Sequence, residues 1–114
     1  MTTYKKNLSE PWFSLIKFKI KTIEGRLNKG EFKNMNINDF ILFTNNELGF
    51  ERKFIIEIKN ITYYDNFQEY LEKETLEKCL PGLDNIEDGL KIYYRFYTKN
   101  DESEYKIKAF KFIL

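Results

Sequence analysis

Phe40-Ile41-Leu42-Phe43 puts apolar side chains on both faces of one strand. A strand with one face in water alternates apolar and polar residues. A strand covered on both sides reads as a continuous apolar run, as in a small closed barrel. The turn residues Asn45-Asn46-Glu47-Leu48-Gly49 follow at once. Beyond them residues 51–63 alternate, with Phe54, Ile56 and Ile58 set against Lys53, Glu57 and Lys59, which predicts a second strand with one wet face. Upstream, Ile20, Thr22 and Ile23 among charged neighbours predict a strand over 19–27, ended by Asn28-Lys29-Gly30, and residues 28–39 read as loop. Trp12, Phe13, Leu15 and Ile16, behind a possible Ser9 cap and Pro11, predict a short helix over 10–18. Downstream, Asp65 or Asn66 is placed to cap a helix in which Phe67, Tyr70 and Leu71 fall at i, i+3 and i+4, broken at Pro81-Gly82. Asp84 or Asn85 is placed to cap another helix, bearing Ile86, Leu90, Tyr93, Tyr94 and Tyr97. Residues 99–104 read as a solvated loop and 105–113 as the last strand. The fold class expected is α+β: a small β-barrel of about five to six strands with two to three flanking helices, in one domain over 1–114.

Composition narrows the chemistry. The 114 residues contain no histidine, so neither a Ser/His/Asp nor a Cys/His nucleophile system nor a His-ligated metal site is available within the chain. One cysteine, Cys79, has no internal disulfide partner, and its neighbours Leu76, Leu80 and Pro81 predict a packed thiol. No cofactor and no metal are implied. No apolar run is long enough to span a bilayer, and the polar start Met1-Thr2-Thr3-Tyr4-Lys5-Lys6 is not a signal peptide, so a cytoplasmic protein is expected. Nineteen basic and 18 acidic residues give a net charge of +1, which argues against non-specific coating of nucleic acid but leaves room for a local basic strip. Lys17, Lys19, Lys21, Arg26, Lys29 and Lys33 form such a strip, and residues 65–88 are rich in acids.

Lys21-Thr22-Ile23-Glu24-Gly25-Arg26-Leu27 after an amphipathic helix resembles the K-T-[IV]-E-x-R-L signature of the ASCH domain, a member of the PUA-like superfamily. Ile37-Asn38-Asp39-Phe40-Ile41-Leu42-Phe43 resembles the start of that family's barrel strand. Tyr93-Tyr94-x-x-Tyr97, the acidic stretch after it and Tyr105-Lys106-Ile107-Lys108-Ala109-Phe110 resemble its last helix and strand. The likeness covers about residues 8–114 and implies a PUA-like barrel with a cleft for a nucleobase or an RNA segment between barrel and helices. Two family glycines are replaced, by Lys19 and Asn38. The family's N4-acetylcytidine amidohydrolases use a lysine, a threonine three residues later and a glutamate before the last helix. Here Lys21 matches the lysine, Glu24 stands at the threonine position, Thr22 is at the wrong spacing, and the stretch from Leu80 to Leu83 has no carboxylate.

The resemblance puts Lys21, Glu24 and Arg26 beside the cleft. Cations suit phosphate, and a glutamate accepts from the exocyclic amine of a base. On a straight strand Lys21 points away from Glu24 and Arg26, so the three converge only if Lys21 belongs to the turn before the strand or a bulge intervenes. Glu24 and Arg26 read equally well as a barrel-rim ion pair. Tyr93 and Tyr97 share the Ile86/Leu90 stripe and read as core. Tyr94, off that stripe beside Arg95, is the aromatic expected to face the cleft, and Lys17 and Lys19 are expected as backbone contacts. Two functions follow: a module binding RNA or a modified nucleotide, or a ribonuclease or amidohydrolase-like hydrolase with Lys21 and Glu24 catalytic. A protein-interaction domain is the third option. No membrane partner is expected.

Overall fold

A computed structural model describes residues 1–114. Its strands are β1 (Thr3–Asn7), β2 (Ile23–Leu27), β3 (Phe40–Asn45), β4 (Arg52–Tyr64) and β5 (Ile107–Ile113). They form one sheet in the order β1-β3-β4-β5-β2, with β1 parallel to β3 and every other pair antiparallel. The 13-residue β4 pairs with β3 through residues 52–57 and with β5 through residues 57–64, with a register shift between Ile58 and Asn60. An extra residue in one strand bends it and adds twist, and this offset curls the sheet into a half-barrel. The edge strands β1 and β2 border its open side.

Alternation sends the two faces of the sheet into two cores. Ile41, Phe43, Ile56, Ile58, Phe110 and Phe112 fill the concave face together with Phe13 and Ile16 of helix α1 (Trp12–Lys17). Ile23, Leu27, Ile107 and Ala109 face the other way, under Phe67, Tyr70 and Leu71 of α3 (Phe67–Glu74), Cys79 of α4 (Leu76–Cys79) and Tyr93 of α5 (Ile86–Tyr93). On β2 this leaves Glu24 and Arg26 on the concave side, at the open border. Caps set the helix starts. Asn66 and Asn85 accept from the N–H groups of Glu69 (2.7 Å) and Asp88 (2.9 Å), two of the expected alternatives.

Several expectations are corrected. Residues 3–7, read only as a polar start, form β1. Residues 28–39 contain helix α2 (Gly30–Asn34), whose terminal carbonyls accept from the buried Lys108 ammonium: Phe32 O at 2.9 Å, Lys33 O at 3.2 Å and Met35 O at 2.7 Å. A lysine supplied from β5 closes a helix whose own sequence is too short to persist. Residues 99–104 are not a loop but most of α6 (Lys99–Tyr105), started by a reciprocal Thr98/Asp101 capping box. The buried Glu102 fastens α6 by accepting from the Phe67 N–H and the Tyr94 hydroxyl. Six helices, three of them of four to six residues, thus stand where two to three were expected. Helix α1 is started by Glu10 rather than Ser9, since the Glu10 carboxylate accepts from the Ser14 N–H and hydroxyl. Lys19 and Asn38 both have left-handed backbones, at φ 65° and 75°. No helix is long and apolar enough to cross a membrane.

Candidate functional site

Strand β2 begins at Ile23, so Lys21 lies in the turn after the left-handed Lys19 and swings to the same side as Glu24. That turn is the condition for convergence, and it is met. Lys21 Nζ is 3.2 Å from Glu24 Oε1, and Arg26 reaches Glu24 Oε2 through Nη2 (3.0 Å) and Nε (3.2 Å). Lys21 also donates to the carbonyls of Ile23 (2.7 Å) and Cys79. All three of its N–H donors are committed. Its side chain is 1% exposed, that of Glu24 9% and that of Arg26 23%, so the cluster grades from the interior to the surface.

Electrostatics keep Glu24 charged. Burial alone raises its carboxyl pKa, and the charges of Lys21 and Arg26 outweigh that and hold it below the ordinary value. The Arg26 guanidinium in turn lies over the Phe32 ring, 4.9 Å from its centre.

Above these groups opens a cleft of about 410 Å³, of the size that takes small ligands. Trp12 and the residues Asn7 to Ser9 border one side, and Tyr93, Phe96 and Tyr97 the other. Tyr93 stacks on Phe67 at 4.2 Å, and Phe67 on Tyr97 at 5.6 Å, which fixes the aromatic wall from the core outward. The Tyr93 hydroxyl is buried beside that of Tyr70, which in turn lies against the Cys79 thiol.

The other expected residues lie elsewhere. Tyr94 does not line the cleft. Its hydroxyl donates to Glu102 at 2.9 Å, because α5 ends at Tyr93 and the next residue turns toward α6. Tyr93 and Tyr97, read as core, serve core and cleft together. Lys17 is exposed at the end of α1, and Lys19 borders a separate hollow beside Ile16 and Phe112, so neither reaches the aromatic cleft. The turn that brings Lys21 inward carries Lys19 outward. Trp12 and Phe96 complete the wall, and Phe96 is 72% exposed. No cluster of three His, Cys, Asp or Glu side chains is arranged to hold a metal. Cys79 is buried and its thiol pushed up to about 11, first by desolvation. Iodoacetamide should therefore leave the native protein unmodified at neutral pH and label it only on unfolding; labelling of folded protein at the rate of a free thiol contradicts this placement.

The family model of the ASCH domain matches residues 7–114. The chain belongs to the ASCH family. ASCH domains are part of the PUA-like superfamily, and the half-barrel with its flanking helices is that architecture. Two solved structures share it closely. The crystal structure of hypothetical protein PH0355 is 34% identical, with a TM-score of 0.83 over 98% of this chain and 97% of that one. The solution NMR structure of protein PF0455 from Pyrococcus furiosus is 37% identical, with a TM-score of 0.79 over 96% and 94%. No curated protein matches the sequence. In this ASCH domain the Lys-x-x-Glu-x-Arg signature is the floor of the cleft.

Proposed function

We propose that the ASCH cleft binds one base of an RNA or of a modified nucleotide. The observation that carries this reading is the ionised Glu24 held by Lys21 and Arg26 at the base of an aromatic-walled slot. Stacking on aromatic rings contributes about 1–3 kcal/mol per base in nucleic-acid sites, and a fixed carboxylate adds selectivity by accepting from a base N–H. Lys21, with every donor spent on the protein, positions Glu24, and Arg26 keeps its outer N–H groups for the ligand. The hydrolytic alternative has less support. A carboxylate stabilised by two cations is a weak base, and Lys21 has no free donor to place on a developing charge.

Glu24→Gln is the discriminating variant. It keeps shape and removes the charge, so the expected result is a change in which nucleoside monophosphate binds best, with the salt dependence of binding nearly intact. Loss of turnover on short RNAs or N4-acetylcytidine with binding retained favours the hydrolase. Unchanged selectivity with a lowered Tm reduces the triad to a structural ion pair. Failure of the wild-type protein to bind any RNA or nucleotide leaves the interaction-domain reading.

A further inference from the structure

The cleft has an imbalance of charge. Lys21, Glu24 and Arg26 are its only formally charged lining residues, two cations to one anion, with Lys21 and Glu24 buried at its floor. Uncompensated charge in such a site is costly, and a ligand of opposite sign relieves it. The place of the surplus follows from the hydrogen bonds. Lys21 has spent its three donors, and Arg26 has turned Nε and Nη2 toward Glu24, so the guanidinium edge at Nη1 holds the N–H groups left without a protein acceptor.

Arg26 stands on β2, one of the two edge strands at the open side of the half-barrel. There Lys6, from the opposite edge strand β1, has its ammonium 5.0 Å from the centre of the same Phe32 ring that Arg26 overlies at 4.9 Å. The two cations therefore lie within about one Debye length, ~10 Å at 0.1 M salt, of each other. Lys6 is 23% exposed and paired with Glu31 at 2.6 Å, and Glu31, 57% exposed, belongs to a surface pair of the kind that contributes little and is readily exchanged.

We propose that the seam between β1 and β2 is a phosphate seat, in which the free edge of Arg26, with Lys6 across Phe32, holds the single phosphate of a nucleotide whose base enters the cleft. The inference rests on the nucleotide-binding reading above and adds where the anion sits and which side chain of β1 meets it. The unit recognised is a base with its phosphate rather than a nucleoside alone. The guanidinium fork suits phosphate oxygens, and Lys6 supplies a point charge. Lys17 and Lys19, beside their own hollow, are not part of it.

The test compares each of the four common nucleosides with its 5′-monophosphate by calorimetry, on the wild-type protein and on Lys6→Gln and Glu31→Gln. The monophosphate should bind roughly tenfold more tightly at low salt, with the advantage shrinking as salt rises. Lys6→Gln should remove a factor of about three from the monophosphate and leave the nucleoside unchanged, whereas Glu31→Gln, which releases Lys6, should tighten the monophosphate by a similar factor. Glu31 is exposed and Lys6 half-buried, and an unchanged Tm checks that the fold is intact. Nucleosides and monophosphates binding equally, or Glu31→Gln weakening the monophosphate, overturns the seat while the base-binding reading stands. No binding of any nucleoside, nucleotide or RNA overturns both. A short RNA that binds more tightly than the monophosphate supports the seat with the phosphodiester of a strand as its occupant. An RNA that binds no more tightly supports it with a terminal phosphate.

Discussion

Lys21→Met is expected to lower stability by about 3–5 kcal/mol, the cost of removing one member of a buried, hydrogen-bonded ion group. The methionine matches the lysine stem in length, so the loss comes from polar groups. The carbonyls of Ile23 and Cys79 lose their donor, and Glu24 loses one of the two charges that compensate its burial. For a domain of this size the change corresponds to a fall in Tm of roughly 10 °C or more. The pH dependence has a definite sign. The folded pKa of Glu24 lies below its unfolded value, so its contribution is complete above the unfolded pKa and is lost as pH falls through the folded one. Acid melting of the wild-type protein should include this loss, and in Lys21→Met the acid limb should flatten because the depression shrinks. A Tm within about 2 °C of wild type contradicts the description of Lys21 as the pin between β2 and the end of α4.

The sequence carried the main strands and the ionic site because each rests on a local signal. Phe40 to Phe43 and the alternation of Phe54, Ile56 and Ile58 follow from burial, and both strands lie within one residue or two of their expected ends. What it did not carry depends on contacts made by distant residues. Strand β1 contains Lys5 and Lys6 and little apolar surface, because an edge strand with a single neighbour needs only backbone pairing with β3. Helix α2 exists because Lys108, 73 to 76 positions away, caps it. Helix α6 is polar along most of its length, and only its Thr98/Asp101 box marks it in sequence.

The site shows the same division. Lys21, Glu24 and Arg26 were legible as residues, and their convergence depended on one left-handed backbone at Lys19. The aromatic wall was legible as composition but not as orientation. α5 stops at Tyr93, one residue before Tyr94, and that places Tyr93 and Tyr97 at the cleft while Tyr94 turns to Glu102. Lys6 gave no signal at all, since its relation to Arg26 arises only when β1 and β2 become the two borders of one curved sheet.

Gly25, between Glu24 and Arg26, carries the second large effect. In an ordinary strand, replacing glycine by alanine is favourable by roughly 0.5–1 kcal/mol, because alanine loses less backbone freedom on folding. Here the added Cβ would stand 2.5 Å from Cζ and 2.6 Å from Cε2 of Tyr70, far inside contact distance. Tyr70 cannot easily retreat: it is fully buried, with Phe67, Tyr64 and Tyr93 around its ring. Gly25→Ala should therefore reverse the usual sign and destabilise by about 1–3 kcal/mol, the range for overpacking a tight core. Tyr70→Phe does not relieve the clash, since Cζ and Cε2 remain. Tyr70→Leu removes both atoms, so Gly25→Ala should cost less in that background than in the wild type, with a coupling of about 1 kcal/mol or more in the double-mutant cycle. The strand that holds the carboxylate and the guanidinium is thus seated on an aromatic ring of the second core. Movement of that seat should shift Glu24 and Arg26 together, so Gly25→Ala is also expected to weaken nucleotide binding at temperatures where the protein remains folded. Equal melting of Gly25→Ala and wild type, with affinity unchanged, would show that Tyr70 yields freely and that this contact does not set the position of the site.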